Sequence, residues 1–167
     1  MADSDPATIL QQAVYQLETG NPEQAAETAG LALGSNPENA EALFLLGRCR
    51  ALLNQNTEAI NALEQASERL PDRLELFNLL GHLLYHERCH EKAITAFRRC
   101  VELDPDHVEA HRQLANLSLS NDQPEATRLF ERAHQLAPDH ADLLFDYAWG
   151  TMYKVGDTDR GGDLFCK

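Results

Sequence analysis

Pro37, Pro71, Pro105 and Pro138 stand 34, 34 and 33 residues apart. Each sits in a similar phrase: SNPENAEALFLLG, RLPDRLELFNLLG, LDPDHVEAHRQLA and LAPDHADLLFDYA. A fixed period of this length is the mark of a chain built from one supersecondary unit used several times. It excludes most folds, because each unit has to bury its apolar face on copies of itself. The units run over residues 6–39, 40–73, 74–107 and 108–140, with a partial fifth over 141–167. Together they predict a single repeat domain spanning 1–167.

Within each unit, apolar and small residues recur at steps of three and four, the spacing of one helical face. The second unit has Leu43, Leu46 and Gly47, then Ala59, Leu63 and Ala66; the third has Phe77, Leu80, Gly81 and Leu84, then Ala93, Phe97 and Cys100. The fourth, one residue shorter in its turn, has Leu114 and Ala115, then Ala126, Phe130 and Ala133. Short polar turns such as Asn54-Gln55-Asn56 split each unit into an antiparallel helix pair, A and B. Gly47, Gly81, Ala115 and Ala148 fall where helix A has to approach helix B, and Ala59, Ala93 and Ala126 face them. The prolines cannot continue a helix and so end each B helix. Asn21-Pro22-Glu23 reads as a cap with proline in the first turn, opening the first B helix.

With 14 Lys and Arg against 27 Asp and Glu, the chain carries a formal charge of −13. That charge repels phosphate backbones and argues against nucleic acid as a partner. No apolar run approaches the roughly 20 residues of a membrane span, so no membrane is expected either. The first residues, Met1-Ala2-Asp3-Ser4-Asp5, are acidic where a secretory leader is basic and then apolar. Cys49, Cys89, Cys100 and Cys166 show no CxxC pair and read as free thiols of a reducing, cytoplasmic compartment.

The pattern L-x-x-L-G, then A-x-x-x-F/L-x-x-A, then P, on a 34-residue period resembles the tetratricopeptide repeat (TPR) family. The first unit is atypical, with Gln12 and Ala29 where the family has large apolar residues, and looser packing is expected there. The resemblance implies an all-α, right-handed superhelical solenoid of about four helix-turn-helix units plus a partial fifth, with A helices lining a concave groove. Carried onto this sequence, the groove face comprises Leu10, Val14, Glu41, Phe44, Arg48, Glu75, Asn78, His82, Tyr85, His86, Glu109, Arg112, Asn116, Phe145 and Trp149. It implies a protein or peptide ligand, with Phe44, Phe145 and Trp149 as apolar anchors and Arg48, Asn78, Arg112 and Asn116 as hydrogen-bonding groups. Some family members clamp a chaperone tail's carboxylate with Lys, Asn and Arg. The matching positions here are Leu10, Val14, Leu45, Glu75 and Leu79, which make no such clamp.

The densest local chemistry is His82, His86, Cys89 and His90: two histidines at i, i+4, then a thiol and a third imidazole in the turn. Zinc could use such a set, but no matching ligand pair is evident and Arg88 adds unfavourable charge. Ordinary groove and turn histidines are the preferred reading, with no metal and no cofactor. Gly161-Gly162 lacks the strand and lysine of a phosphate loop, and no nucleophile–base–acid set stands out, so no enzyme is expected.

Residues 141–155 read as the A helix of a fifth unit, with Leu144, Tyr147 and Ala148 covering unit four and Phe145, Trp149, Met152 and Tyr153 on another face. Arg160 then stands where the family has alanine. Three accounts of this aromatic end compete: a fragment whose next helix is missing, docking of a partner or second copy, or a cap closed by the tail. The expected function is a non-enzymatic adaptor binding a peptide or protein segment. The alternatives are a secretion-type chaperone or assembly factor, and the N-terminal targeting region of a larger transferase or hydroxylase.

Overall fold

The computed structural model describes the backbone of residues 6–155 and the side chains of residues 7–152. Among these the structure is all-α. Nine α-helices follow in order: α1 Pro6–Glu18, α2 Pro22–Ser35, α3 Ala40–Leu52, α4 Asn56–Ser67, α5 Leu74–His86, α6 His90–Leu103, α7 Val108–Ser118, α8 Gln123–Leu136 and α9 Ala141–Trp149. A π-helix, Gly150–Val155, continues from α9. The chain forms two compact units, Met1–Cys89 and His90–Lys167. Arg160, Gly161, Gly162, Cys166 and the side chain of Tyr153 lie outside the described residues.

In the first unit α1 pairs with α2, α3 pairs with α4, α2 also packs on α3, and α5 packs on α4. Ala13, Ala25, Ala29 and Ala42 are fully buried, and Ala13, Ala25 and Ala29 cluster with Leu17, Leu45 and Cys49. The first pair therefore meets through methyl groups: Ala29 brings α1 and α2 together, and Gln12 points to solvent. Gly47 shows why a small residue is needed in the second pair. A Cβ built there would stand 2.6 Å from Leu63 Cγ and 2.8 Å from its Cδ2, and Leu63 is wholly buried.

The A-to-B turns of this unit share one geometry. Gly20, Asn54 and Arg88 have φ of 81°, 57° and 60°, in the left-handed region. In each, the next residue's N–H returns to a carbonyl five residues back: Asn21 to Gln16, Gln55 to Arg50 and Cys89 to Leu84. This is the Schellman ending, which satisfies the last carbonyls of the A helix. Pro22 occupies the first turn of α2 as expected, but Asn21 makes no side-chain cap; its Nδ2 donates to the Thr19 carbonyl at 3.3 Å and Oγ1 at 3.2 Å.

In the second unit α7 packs on α6 and pairs with α8, and α9 packs on α8 and α7. Its turn between α7 and α8, one residue shorter, has no left-handed residue; Asp122 instead accepts from the Glu125 N–H at 3.1 Å. His107 and His140 cap α7 and α9, their Nδ1 atoms accepting from Ala110 and Leu143 N–H at 3.1 and 3.3 Å. The B-helix ends follow the prolines: α2, α4, α6 and α8 stop at Ser35, Ser67, Leu103 and Leu136, two to four residues before Pro37, Pro71, Pro105 and Pro138.

The last A helix departs from expectation in two ways. Tyr147 and Ala148 are buried as read from the pattern, but Leu143, not Leu144, is the fully buried leucine. Tyr147 stacks on Phe130 at 5.3 Å with the rings 15° apart. The α-helix then widens at Gly150, where a Cβ would meet Leu119 at 3.0 Å and Phe130 at 3.1 Å. Thr151 donates its hydroxyl to the Tyr147 and Ala148 carbonyls at 2.9 and 3.0 Å. Such back-bonding competes with the regular ladder and accompanies the change of helix type.

Candidate functional site

In the first unit, α1, α3 and the residue before α5 line a half-open cavity of about 420 Å³. Its apolar walls are Leu10 and Val14 from α1 and Phe44 and Leu45 from α3. These lie on the A-helix face that sequence reasoning marked: Leu10, Val14, Glu41, Phe44 and Arg48 all line one space. Residues on one face of α1 and α3 converge because the two helices repeat the same orientation one period apart.

Phe44 is a wall and not a projecting anchor, since only 6% of it is exposed. Two guanidiniums lie over its ring, Arg48 at 5.7 Å and Arg73 at 5.4 Å from the ring centre. Both distances are within cation–π range, so the ring helps hold two positive charges at the cavity edge. Arg73 also pairs with Glu41. Arg48 is exposed and has no ion-pair partner among the described residues. Val14 and Tyr15 leave 40% and 67% of their surface in solvent beside it. The site thus offers apolar surface, one uncommitted cation and, at Glu18, an exposed carboxylate. Arg73 and Tyr15 were not identified from the sequence.

The other marked positions fall elsewhere. On α5, Asn78, His82 and Tyr85 are half-buried, and Asn78 Oδ1 is buried with no hydrogen-bond partner among the described residues. In the second unit Arg112 and Asn116 converge on Asp146 of α9: Arg112 pairs with it, and Asn116 donates to its Oδ2 at 2.8 Å. Arg112 also makes two bonds to Glu109, 2.7 and 2.8 Å long. These bonds to Glu109, with the Glu109 and Asp146 charges, push the guanidinium pKa up against the opposing effect of burial. The cluster ties α7 to α9. Phe145 and Trp149 are exposed on α9, with ring centres 6.5 Å apart and planes 14° apart.

His86 is exposed at the end of α5 with Tyr85 edge-on at 6.1 Å, and the exposed Cys89 donates its S–H to the Glu87 carbonyl at 3.7 Å. His90 opens α6 and is exposed. Among the described residues no group of three or more His, Cys, Asp or Glu is placed to hold a metal ion. No described helix is long and apolar enough to cross a membrane.

Paired helices on a 34-residue period are matched by the sequence of known repeats: residues 10–73 and 74–107 each fit a model of the tetratricopeptide repeat. The chain belongs to the tetratricopeptide repeat family. The peroxisomal targeting signal receptor of Yarrowia lipolytica is 31% identical over 174 residues, which is 99% of this TPR chain and 29% of that protein. Anaphase-promoting complex subunit 3 of Schizosaccharomyces pombe is 23% identical over 150 residues, 86% of this chain and 22% of that protein. The chain spans less than a third of the length of these relatives. Among solved structures, YrrB, described as a TPR protein with an unusual peptide-binding site, superposes with a TM-score of 0.88 at 21% identity, covering 97% of this chain and 84% of its own. MamA superposes with a TM-score of 0.87 at 18% identity, covering 96% and 88%. At such identities the likeness is one of TPR fold.

Proposed function

We propose that this TPR chain is a non-catalytic binding module that holds a peptide or protein segment on the A-helix face of α1 and α3. The observation that carries the reading is the 420 Å³ cavity, apolar within and edged by the uncommitted Arg48. An apolar ligand side chain would sit against Leu10, Val14 and Phe44, and a ligand carboxylate beside it would meet Arg48. A fully buried aliphatic or aromatic side chain contributes roughly 1.5–3 kcal/mol, and immobilising the peptide offsets part of that. Such an anchor alone supplies less than the roughly 5.4 kcal/mol of a 100 µM complex, so affinity is modest and draws on contacts beyond the anchor. We also propose that residues 1–167 act as one repeat domain, since the proline period runs unbroken from Pro71 to Pro105.

Selection from a random peptide library displayed on phage tests the reading. Enriched peptides are expected to share an apolar residue next to an acidic one. Their affinity, measured by calorimetry, should fall about tenfold or more in Val14→Glu/Arg48→Glu, both exposed changes. Failure to enrich any peptide, or equal affinity for the double variant, refutes it.

A further inference from the structure

The second unit holds a cleft of about 330 Å³ that the peptide reading does not use. α6 and α8 both pack on α7, and the cleft lies between them with α7 as its floor. His111, Leu114 and Ser118 of α7 line it at helical spacing, on a different face from Arg112 and Asn116. Leu114 and Leu129 form an apolar base, and Val101 adds to one wall. His111 is fixed there: its Nε2 lies 2.9 Å from the Pro105 carbonyl, which can only accept, so Nε2 carries the hydrogen.

The rim is where charge departs from the rest of the chain. Both carboxylates that line the cleft already have an arginine, Glu102 having Arg99 and Glu125 having Arg128, while Arg132 of the lining pairs with Asp106. Arg98, exposed on the rim, has no ion pair among the described residues. Arg128 is 72% exposed at its side chain and holds Glu125 through Nε and Nη2 at 2.8 and 2.7 Å, a pair that does not use its Nη1. In a chain of net charge −13, this is a local excess of exposed guanidinium over an apolar floor.

We propose that this cleft is a second binding site, and that it takes an acidic amphipathic helix from a partner protein. The lining runs from His111 to Ser118 on α7 and from Glu125 to Arg132 on α8, about 10 Å each, which matches about two turns of a ligand helix. Leucines of the ligand pack on Leu114 and Leu129, and its carboxylates bond to Arg98 and to the Nη1 of Arg128 that Glu125 does not use. The reading stands apart from the α1–α3 site and uses none of its residues.

The probe is a fluorescein-labelled helical peptide of about 14 residues, with leucine at every third or fourth position and glutamate elsewhere. A control peptide carries glutamine in place of glutamate. Fluorescence anisotropy should show binding of the acidic peptide and at least about tenfold weaker binding of the glutamine peptide. Arg98→Glu/Arg128→Glu should weaken the acidic peptide about tenfold or more, Arg98→Lys/Arg128→Lys should largely retain it, and Val14→Glu/Arg48→Glu should leave it unchanged. Circular dichroism checks that each variant is folded. Equal binding of the two peptides, or loss of binding in Val14→Glu/Arg48→Glu alone, overturns the proposal. So does displacement of the peptide by inorganic phosphate, which would mark a free-anion site. Concentration-dependent dimerisation abolished by Arg98→Glu/Arg128→Glu would assign the cleft to a second copy of this chain and overturn it equally.

Discussion

Gly47→Ala adds a single methyl group to the middle of α3, and its effect can be worked from the structure. The new Cβ would lie 2.6 Å from Leu63 Cγ, 2.8 Å from Leu63 Cδ2 and 3.3 Å from the Ala59 carbonyl oxygen. Leu63 has no exposed surface, and Ala59 presents backbone, so neither can swing aside. Forcing a methyl into such a site costs about 1–3 kcal/mol, against a helix-propensity gain of about 1 kcal/mol for alanine over glycine. The net expectation is destabilisation of up to about 2 kcal/mol. Gly30 supplies the control. It also lies inside a helix, α2, but nothing stands within 4 Å of a Cβ built there, so Gly30→Ala should stabilise by about 0.5–1 kcal/mol. Equilibrium urea unfolding of the two variants, followed by circular dichroism, reads both signs on one scale. Adding Leu63→Ala to Gly47→Ala should recover part of the packing penalty, so the double variant is less destabilised than the sum of the singles. If Gly47→Ala and Gly30→Ala shift stability in the same direction, close A–B approach at Gly47 is not what holds the pair together.

Two further outcomes follow from groups away from the cavity. Asp146→Ala removes the residue on which Arg112 and Asn116 converge, at a site where the Arg112 and Asp146 side chains are only 16% and 22% exposed. It should cost about 1–2 kcal/mol and speed amide hydrogen exchange in α9 more than in α3; uniform exchange across both helices would contradict the tie. Burial pushes the Cys49 thiol up and the Cys100 thiol up to about 12, whereas Cys89 is exposed. At pH 8 an alkylating reagent should therefore modify Cys89 in the folded protein well before Cys49 or Cys100, as read by peptide mass mapping. Rapid labelling of Cys100 without unfolding would show that α6 is not packed as described.

The parts of the fold that the sequence made legible are those set by local chemistry and by period. Proline spacing located the turns, and Gly47 and the alanines located the close approaches. The expected Asn21 cap failed because its side chain turns back to Thr19, a choice between two nearby partners that composition does not decide. The resemblance implies hydrogen-bonding roles toward a ligand for Arg112 and Asn116 but gives no hint that both reach Asp146, 34 and 30 residues on. The signal for this was available. Positions one period apart lie side by side on successive A helices, so opposite charges spaced by about one repeat are neighbours. A similar spacing links Glu41, in the first turn of α3, to Arg73, just before α5, and Glu38 to Arg69 between successive B-to-A connections. Phe44 illustrates the opposite limit: it lines the α1–α3 cavity from a buried position, beside guanidiniums from its own helix and from 29 residues further along.

The central claim is that the α1–α3 face holds another polypeptide, and amide chemical-shift mapping of the labelled protein with a selected phage peptide tests it most directly. The account predicts perturbations concentrated at Leu10, Val14, Phe44, Leu45 and Arg48, saturating with the calorimetric affinity. Perturbations confined to other helices, or none at saturating peptide, would contradict it.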